Sequence, residues 1–325
     1  MLPAAADVHA AAHRLRSVIT RTPLIRSEAL SAIAGADVFL KCEHQQRTGS
    51  FKLRGAYNAI ALLSDDARAR GVVASSAGNH GLGIAYAARA FGIRARIFVP
   101  STAPSVKRDG ILALGAEVDE TQPHYDAAHA AAIAYGASRG MTFVNPCAGE
   151  SLLAGQGTVA LEILEDLPAV KTLVVPVGGG GLVGGMAALV RAAAPQVRIM
   201  GAQSDRSNAM AASLAVGHRV DVAVPPTLAD GLSGQIDDEG FAIGQFAIDI
   251  MRVVTEARIG DAIAWMAREH DARVEGSGAC GVAAVLGGRR GEWDGPVAVV
   301  VTGGNIDDAR WRGITGRADP ALRTS

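Results

Sequence analysis

The strongest constraint in this 325-residue chain is a unit that recurs along it. A short apolar run enters a glycine-containing or polar turn, and an alanine-rich stretch with helical spacing follows. Strands joined through helices run in the same direction, so the repetition requires a parallel-rich sheet flanked by helices, an α/β fold. Val72-Val73-Ala74 leads into Ser75-Ser76-Ala77-Gly78-Asn79-His80-Gly81. Ala95 to Val99 leads into Pro100-Ser101 and a helix through Val106, Ile111 and Leu114. Glu117-Val118 precedes a helix over about 126–138, and the block closes near Phe143-Val144-Asn145-Pro146. A helix over 157–166 then precedes the strand Thr172 to Val177, which opens directly into Gly178-Gly179-Gly180-Gly181. Arg198 to Ala202 repeats the pattern, and Val297 to Val301 enters Thr302-Gly303-Gly304-Asn305. Residues 221–239, with Pro225-Pro226, read as a long ordered loop.

Upstream, the spacing predicts a helix from residue 7 to about 20, ended where Pro23 biases Thr22 towards an extended backbone. Val38 to Lys41 reads as a strand. Thr48 to Ala56 is then a turn running into a helix through Tyr57, Ile60 and Leu63, which puts Lys52 near a helix N-terminus.

The length exceeds one average domain, and a hydrophobic fraction of 49% can fill one large core or two moderate ones, so two domains around a cleft are expected. Lys plus Arg number 31 against 32 Asp plus Glu, a balance that offers no field for nucleic acid or an anionic membrane and leaves small-molecule chemistry. Cys42, Cys147 and Cys280 are odd in number and lack CxxC spacing, so neither a disulfide framework nor a zinc site is expected. The N-terminal stretch is interrupted by Asp7, His9, His13 and Arg14 and contains no membrane-spanning run; a cytoplasmic location is expected.

Four successive glycines between a buried strand and a helix let backbone N–H groups approach an anion, and the helix dipole favours negative charge there. The turn lacks the Lys-Ser/Thr of a P-loop and the spacing of a dinucleotide fingerprint, which favours a small phosphate ester. Lys52 lies between Phe51 and Leu53 at a helix start, where the positive end disfavours an ammonium and so favours the neutral, nucleophilic amine that a Schiff base needs. The small residues and amides of Ser76 to Gly81 suit a carboxylate at a strand's carboxyl end. Each feature alone has a plain structural explanation: tight strand-to-helix packing for the glycines, a surface position for Lys52, an ordinary loop histidine for His80. Their coincidence in one chain favours a site.

Six motifs occur in one order: Ser50-Phe51-Lys52-Leu53-Arg54-Gly55-Ala56, Ser76-Ala77-Gly78-Asn79-His80-Gly81, Ala154-Gly155-Gln156-Gly157-Thr158, Gly178 to Gly181, Glu275-Gly276-Ser277-Gly278-Ala279, and Thr302-Gly303-Gly304-Asn305. Together they resemble the threonine/serine dehydratase family of fold-type-II pyridoxal-phosphate enzymes, which includes serine racemase, over about Arg21 to Asp307. The resemblance implies a two-domain, tryptophan synthase β-like fold with pyridoxal 5'-phosphate in the interdomain cleft. Residues 48–145 would form a small mobile domain, and 1–47 plus 146–325 a large one. It implies that Lys52 holds the cofactor covalently and acts as the catalytic base. Phe51 would pack on the pyridine ring, Asn79 would bond its phenolic oxygen, and Gly178, Gly179, Gly180, Gly181 and Leu182 would hold the phosphate. Thr302 would meet the ring nitrogen, with Glu275 also among the cofactor-binding residues. Ser76, Ala77, Asn79 and His80 would surround the substrate carboxylate. The implied reaction is α,β-elimination of water from a β-hydroxy amino acid such as L-threonine or L-serine to a 2-oxo acid and ammonia, by a homodimer.

The chain departs from its relatives in places. Racemases of the family carry a serine where Ala77 stands; alanine delivers no proton, which disfavours two-base racemisation and leaves elimination untouched. Gln203 and Ala209 stand where acidic metal ligands would be expected, so no metal ion is expected, although Asp205 is near. The segment Asn145 to Glu150 is less bulky than the family pattern. Small side chains there would admit a larger β-substituent, as in a phenylserine or a hydroxyectoine-derived amino acid. Pro226-Thr227-Leu228-Ala229-Asp230 and Val274-Glu275-Gly276 resemble the branch of the family associated with hydroxyectoine catabolism, which keeps that alternative open. A racemase or β-replacement enzyme, and a non-catalytic cofactor carrier, are the rival readings. The chain ends soon after Thr302, so no C-terminal regulatory domain or isoleucine feedback is expected.

Overall fold

The structure is a computed structural model that describes residues 1–76, 78–101 and 105–316, the side chains of 105–107 excepted. Its ten strands, in chain order, are β1 (Leu24–Arg26), β2 (Val38–Lys41), β3 (Val72–Ser75), β4 (Ala95–Pro100), β5 (Glu117–Gln122), β6 (Thr142–Phe143), β7 (Thr172–Pro176), β8 (Arg198–Ser204), β9 (Ile250–Val254) and β10 (Val297–Val300). They form two sheets, one in the order β1-β2-β10-β7-β8-β9 and the other in the order β5-β4-β3-β6. All pairings are parallel except β1 with β2. Helical crossovers cover both faces, as a parallel sheet requires.

The period-2 geometry of a strand sorts the core. Val297 and Val299 of β10 face a cluster with Val174, Met266, Cys280 and Trp311, while Ala298 and Val300 face one with Leu173, Val175, Met186 and Ile199. The smaller sheet repeats the arrangement: Val72, Ala74 and Ile97 pack with Ala56, Ile60 and Ile84, and Val73 packs with Phe98, Ala128 and Ala132 on the other face. Each fully buried Val, Leu, Ile or Met among them contributes about 1.5–3 kcal/mol, and each alanine methyl less. The Lys52–Ala61 helix packs on the smaller sheet, its Ala56 and Ile60 joining that sheet's core together with Leu152 of the Glu150–Asp166 helix.

Several expected boundaries move, three of them with a clear physical reason. The first helix is Ala5–Leu15 and stops short of residue 20. The β-branched Val18, Ile19 and Thr20 resist helix, and Gln46 holds Thr20 instead, accepting from its N–H and donating to its carbonyl, each at 2.8 Å. The helix expected from 157 begins at Glu150, seven residues earlier, so that Ala154, Gly155 and Gln156 are helical. The loop over 221–239 holds a short 3₁₀ turn, Asp230–Leu232, and ends in the Asp238–Ala247 helix, whose N-cap is Asp237 accepting from the Gly240 N–H. Among the described residues no helix is long and apolar enough to cross a membrane.

Candidate active site

Lys52 is the first residue of its helix, and its ammonium donates to the carbonyl of Pro146 at 2.7 Å, 5.3 Å from the Phe51 ring centroid. A carbonyl holds the amine without a carboxylate's grip on its charge. The turn before it is pinned to the loop after β10: Ser50 pairs with Gly303, and the Phe51 N–H donates to the Thr302 carbonyl at 3.1 Å. Phe51 and Leu182 share the larger sheet's core cluster, and Thr302 is buried.

The four glycines follow β7, and Gly181 begins the Gly181–Ala193 helix. The first N–H groups of a helix have no partner within it, so this end presents donors and positive potential. Gly180 has φ +98°, where a side chain is strained, and the segment after Pro146 lies so close that a Cβ on Gly179 would sit 2.9 Å from the Cys147 Sγ. Lys52 and the glycine turn therefore share a border, the Pro146-Cys147 segment.

The loop after β3 approaches from the smaller sheet. Ser76 accepts from the Gly78 N–H at 3.2 Å, and the helix Asn79–Phe91 begins at once. Asn79 Nδ2 donates to Glu275 at 2.6 Å, and its Oδ1 accepts from Asn305 at 2.7 Å. A carboxylate only accepts, so Glu275 fixes which way the Asn79 amide points. Gly303 allows this, since a Cβ there would lie 2.3 Å from the Glu275 carboxylate. Asn305 also donates to the Thr48 carbonyl at 2.8 Å, closing the ring of contacts back to the lysine turn. Ala77 lies outside the described residues.

His80 is buried, with Nε2 2.9 Å from the Val144 carbonyl and Nδ1 buried without a partner. A carbonyl accepts, so Nε2 carries the hydrogen and Nδ1 is left as an acceptor. Burial, and then the charge of Lys52, push its pKa down to about 3. The imidazole is neutral, and its one N–H is spent on Val144.

The structure thus brings together Phe51, Lys52, Ser76, Asn79, His80, Gly178 to Leu182, Glu275 and Thr302 at the carboxyl ends of β3, β7 and β10. Pattern reading of the sequence missed Pro146, the partner of Lys52, and the bridging role of Asn305. A backbone carbonyl leaves no signal in sequence, whereas Asn305 could have been found as the polar end of its glycine pair. Gln203, at the suspected metal position, instead accepts from the Ala211 N–H at 2.9 Å. Among the described residues no three His, Cys, Asp or Glu side chains are grouped to hold a metal ion. An amine on a neutral carbonyl and a glycine-opened helix N-terminus on one border, with the buried Thr302 bonded to the neighbouring Phe51, form a donor set that fits an aldehyde-bearing phosphate ester.

This fold and donor set define a pyridoxal-phosphate-dependent enzyme, and the chain belongs to that family: the model for pyridoxal-phosphate-dependent enzymes matches residues 15–303. Within it the chain belongs to the threonine/serine dehydratases of fold type II. It is 44% identical over 307 residues to the L-threonine ammonia-lyase of Thermotoga maritima, covering 93% of this chain and 75% of that protein. It is 39% identical over 295 residues to the L-threonine ammonia-lyase of Geobacter sulfurreducens, covering 90% and 73%. Maize serine racemase superposes with a TM-score of 0.89 at 30% identity, covering 97% of this chain and 99% of that one. The processed form of threonine deaminase isoform 2 from Solanum lycopersicum also gives 0.89, at 32% identity and covering 98% and 87%.

Proposed function

We propose that this chain is a pyridoxal-phosphate-dependent ammonia-lyase that converts a small β-hydroxy amino acid, L-threonine or L-serine, to a 2-oxo acid and ammonia. The observation that carries the reading is Lys52, held on the Pro146 carbonyl beside the glycine turn and next to a neutral His80. The names of the threonine ammonia-lyase relatives support the substrate class.

In this reading Lys52 holds the cofactor covalently, and the first-turn amides from Gly178 to Leu182 hold its phosphate. Phe51 walls the ring. Asn79 Nδ2 has a second hydrogen, beyond the one given to Glu275, for the ring oxygen, and Thr302 offers a neutral hydroxyl to the ring nitrogen. Bound there, pyridoxal phosphate supplies an aldehyde and a conjugated ring that accepts the electron pair released when the α-proton leaves. Lys52, whose amine lies on the Pro146 carbonyl, would be the base that takes that proton. Ser76, Ala77 and Asn79 receive the carboxylate, and His80 joins them through its backbone N–H, since its side-chain hydrogen is committed to Val144. The β-hydroxyl leaves as water, and hydrolysis of the product returns one water, so the net products are the 2-oxo acid and ammonia.

The division into a mobile unit at 48–145 and a larger remainder, a cytoplasmic location and a homodimer belong to the same proposal. The test is 2-oxo acid release from L-serine, L-threonine, their D-forms and threo-phenylserine by protein reconstituted with the cofactor. Turnover of an L-β-hydroxy amino acid is expected; no turnover across the panel would overturn the reading. Ala77→Ser is expected to raise the ratio of racemisation to elimination, read by chiral chromatography, and an unchanged ratio would remove the argument from that position.

A further inference from the structure

We propose that Arg54 is a positioning residue for Lys52, anchored by a carboxylate fork from Glu43. The inference rests on the reading of Lys52 as the cofactor lysine. At 100° per residue, two positions along a helix put side chains on nearly opposite sides. Lys52 accordingly reaches Pro146 while Arg54 turns inward, where it is fully buried.

All five guanidinium hydrogens are used. Nε and Nη2 donate to the two oxygens of Glu43 at 2.8 and 2.7 Å, and Nη1 and Nη2 donate to Glu162 at 2.7 and 2.9 Å. Nη1 also donates to Thr158 at 3.1 Å. Lys41, equally buried, donates to Glu162 at 2.5 Å and to the Thr22 carbonyl at 2.6 Å, so two cations meet two carboxylates and the cluster is neutral. One turn further on, Asn58 donates to the Ser151 carbonyl at 2.6 Å and accepts from Arg14 at 2.8 Å, which holds the same inward face.

Stability alone does not explain such a cluster, because buried ion pairs replaced by apolar groups of similar volume are often no less stable. Its distinctive product is geometry. Five directed bonds from a planar fork fix both rotation and translation of the helix start, and the lysine on the opposite side inherits that placement. A four-carbon stem amplifies small rotations at the backbone, so a loosened first turn moves the amine out of line with its target.

The test follows capture of pyridoxal phosphate by cofactor-free protein, with borohydride trapping, mass-spectrometric mapping, thermal melting, and kcat and KM on the preferred amino acid. Arg54→Lys keeps the charge and loses the fork. It is expected to melt cooperatively, to slow capture at Lys52 and lower kcat together by about tenfold or more, and to leave KM within threefold. Capture within twofold of the unmodified chain, in folded Arg54→Lys protein, overturns the proposal. Should that variant not fold, Lys41→Met with Glu162→Gln removes one charge of each sign and leaves the Glu43 fork. Capture within threefold is expected there despite a lower melting point, and a tenfold loss overturns the assignment to the fork. Labelling of the unmodified chain at a different lysine fails the underlying reading instead, and is distinguished by the peptide map.

Discussion

Lys52 and His80 adjoin in the site, and two positive charges there would repel. The structure resolves the conflict by burying His80 as the neutral form. The consequence for stability has a definite sign. In the unfolded chain a histidine binds a proton near pH 6.5. Folded His80 does so only near pH 3, and His44, pushed down by burial, only near pH 4. Below pH 6.5 the unfolded state binds protons that the native state refuses, so both residues lose stability for the fold on acidification and the loss ceases below their folded values. Between pH 6 and 5 the unfolding free energy is expected to fall by about 2–3 kcal/mol from these two groups. Urea denaturation across that range checks it, and His44→Gln should remove about half of that two-residue contribution. Lys52→Ala is expected to abolish borohydride-trappable cofactor and to lower turnover by ~10²–10⁴-fold or more; a surviving covalent adduct at another lysine would refute the assignment.

At the scale of elements, the site is a set of strand ends and helix starts, and each depends on backbone geometry. Gly180 at φ +98° turns β7 into the following helix. Gly180→Ala is expected to cost roughly 1–2 kcal/mol and to weaken cofactor binding by about 5–30-fold, measured by titrating cofactor-free protein. Gly313→Ala, in the last described helix with open space around it, should leave binding unchanged. These glycine turns were legible in sequence because a strand opening into glycines has few alternatives. The same holds for β2, β3, β4, β7, β8 and β10, each an apolar run beside a turn. Pattern reading left 240–296 unassigned, although Thr255 followed by Ile259, Ala262, Ile263 and Met266 carries a cap and a helical stripe for the Glu256–His270 helix. β9 is harder. Its Ile250 and Val253 are exposed at the sheet edge and Met251 and Arg252 only half-buried, so little burial selects its residues.

For the whole molecule, the loops after β7 and β10 belong to the six-stranded sheet and the loop after β3 to the four-stranded one, so a ligand in the proposed site would touch both. Cofactor at about 100 times its Kd is expected to stabilise the fold by ~2.7 kcal/mol. Thermal or urea unfolding with and without pyridoxal phosphate measures this, and no shift at saturation would count against a site between the sheets. Sequence by itself determined the α/β class, the glycine turn between β7 and the following helix and the lysine at a helix start, because these are local: a turn or helix end is written in consecutive residues. Tertiary structure alone decided that Pro146 receives the Lys52 amine, that Glu275 and Asn305 orient Asn79, that His80 is neutral, and that Arg54 meets Glu43 and Glu162. Those contacts join residues as much as 226 positions apart, and burial, which sets their protonation and hydrogen bonding, exists only once the sheets have packed.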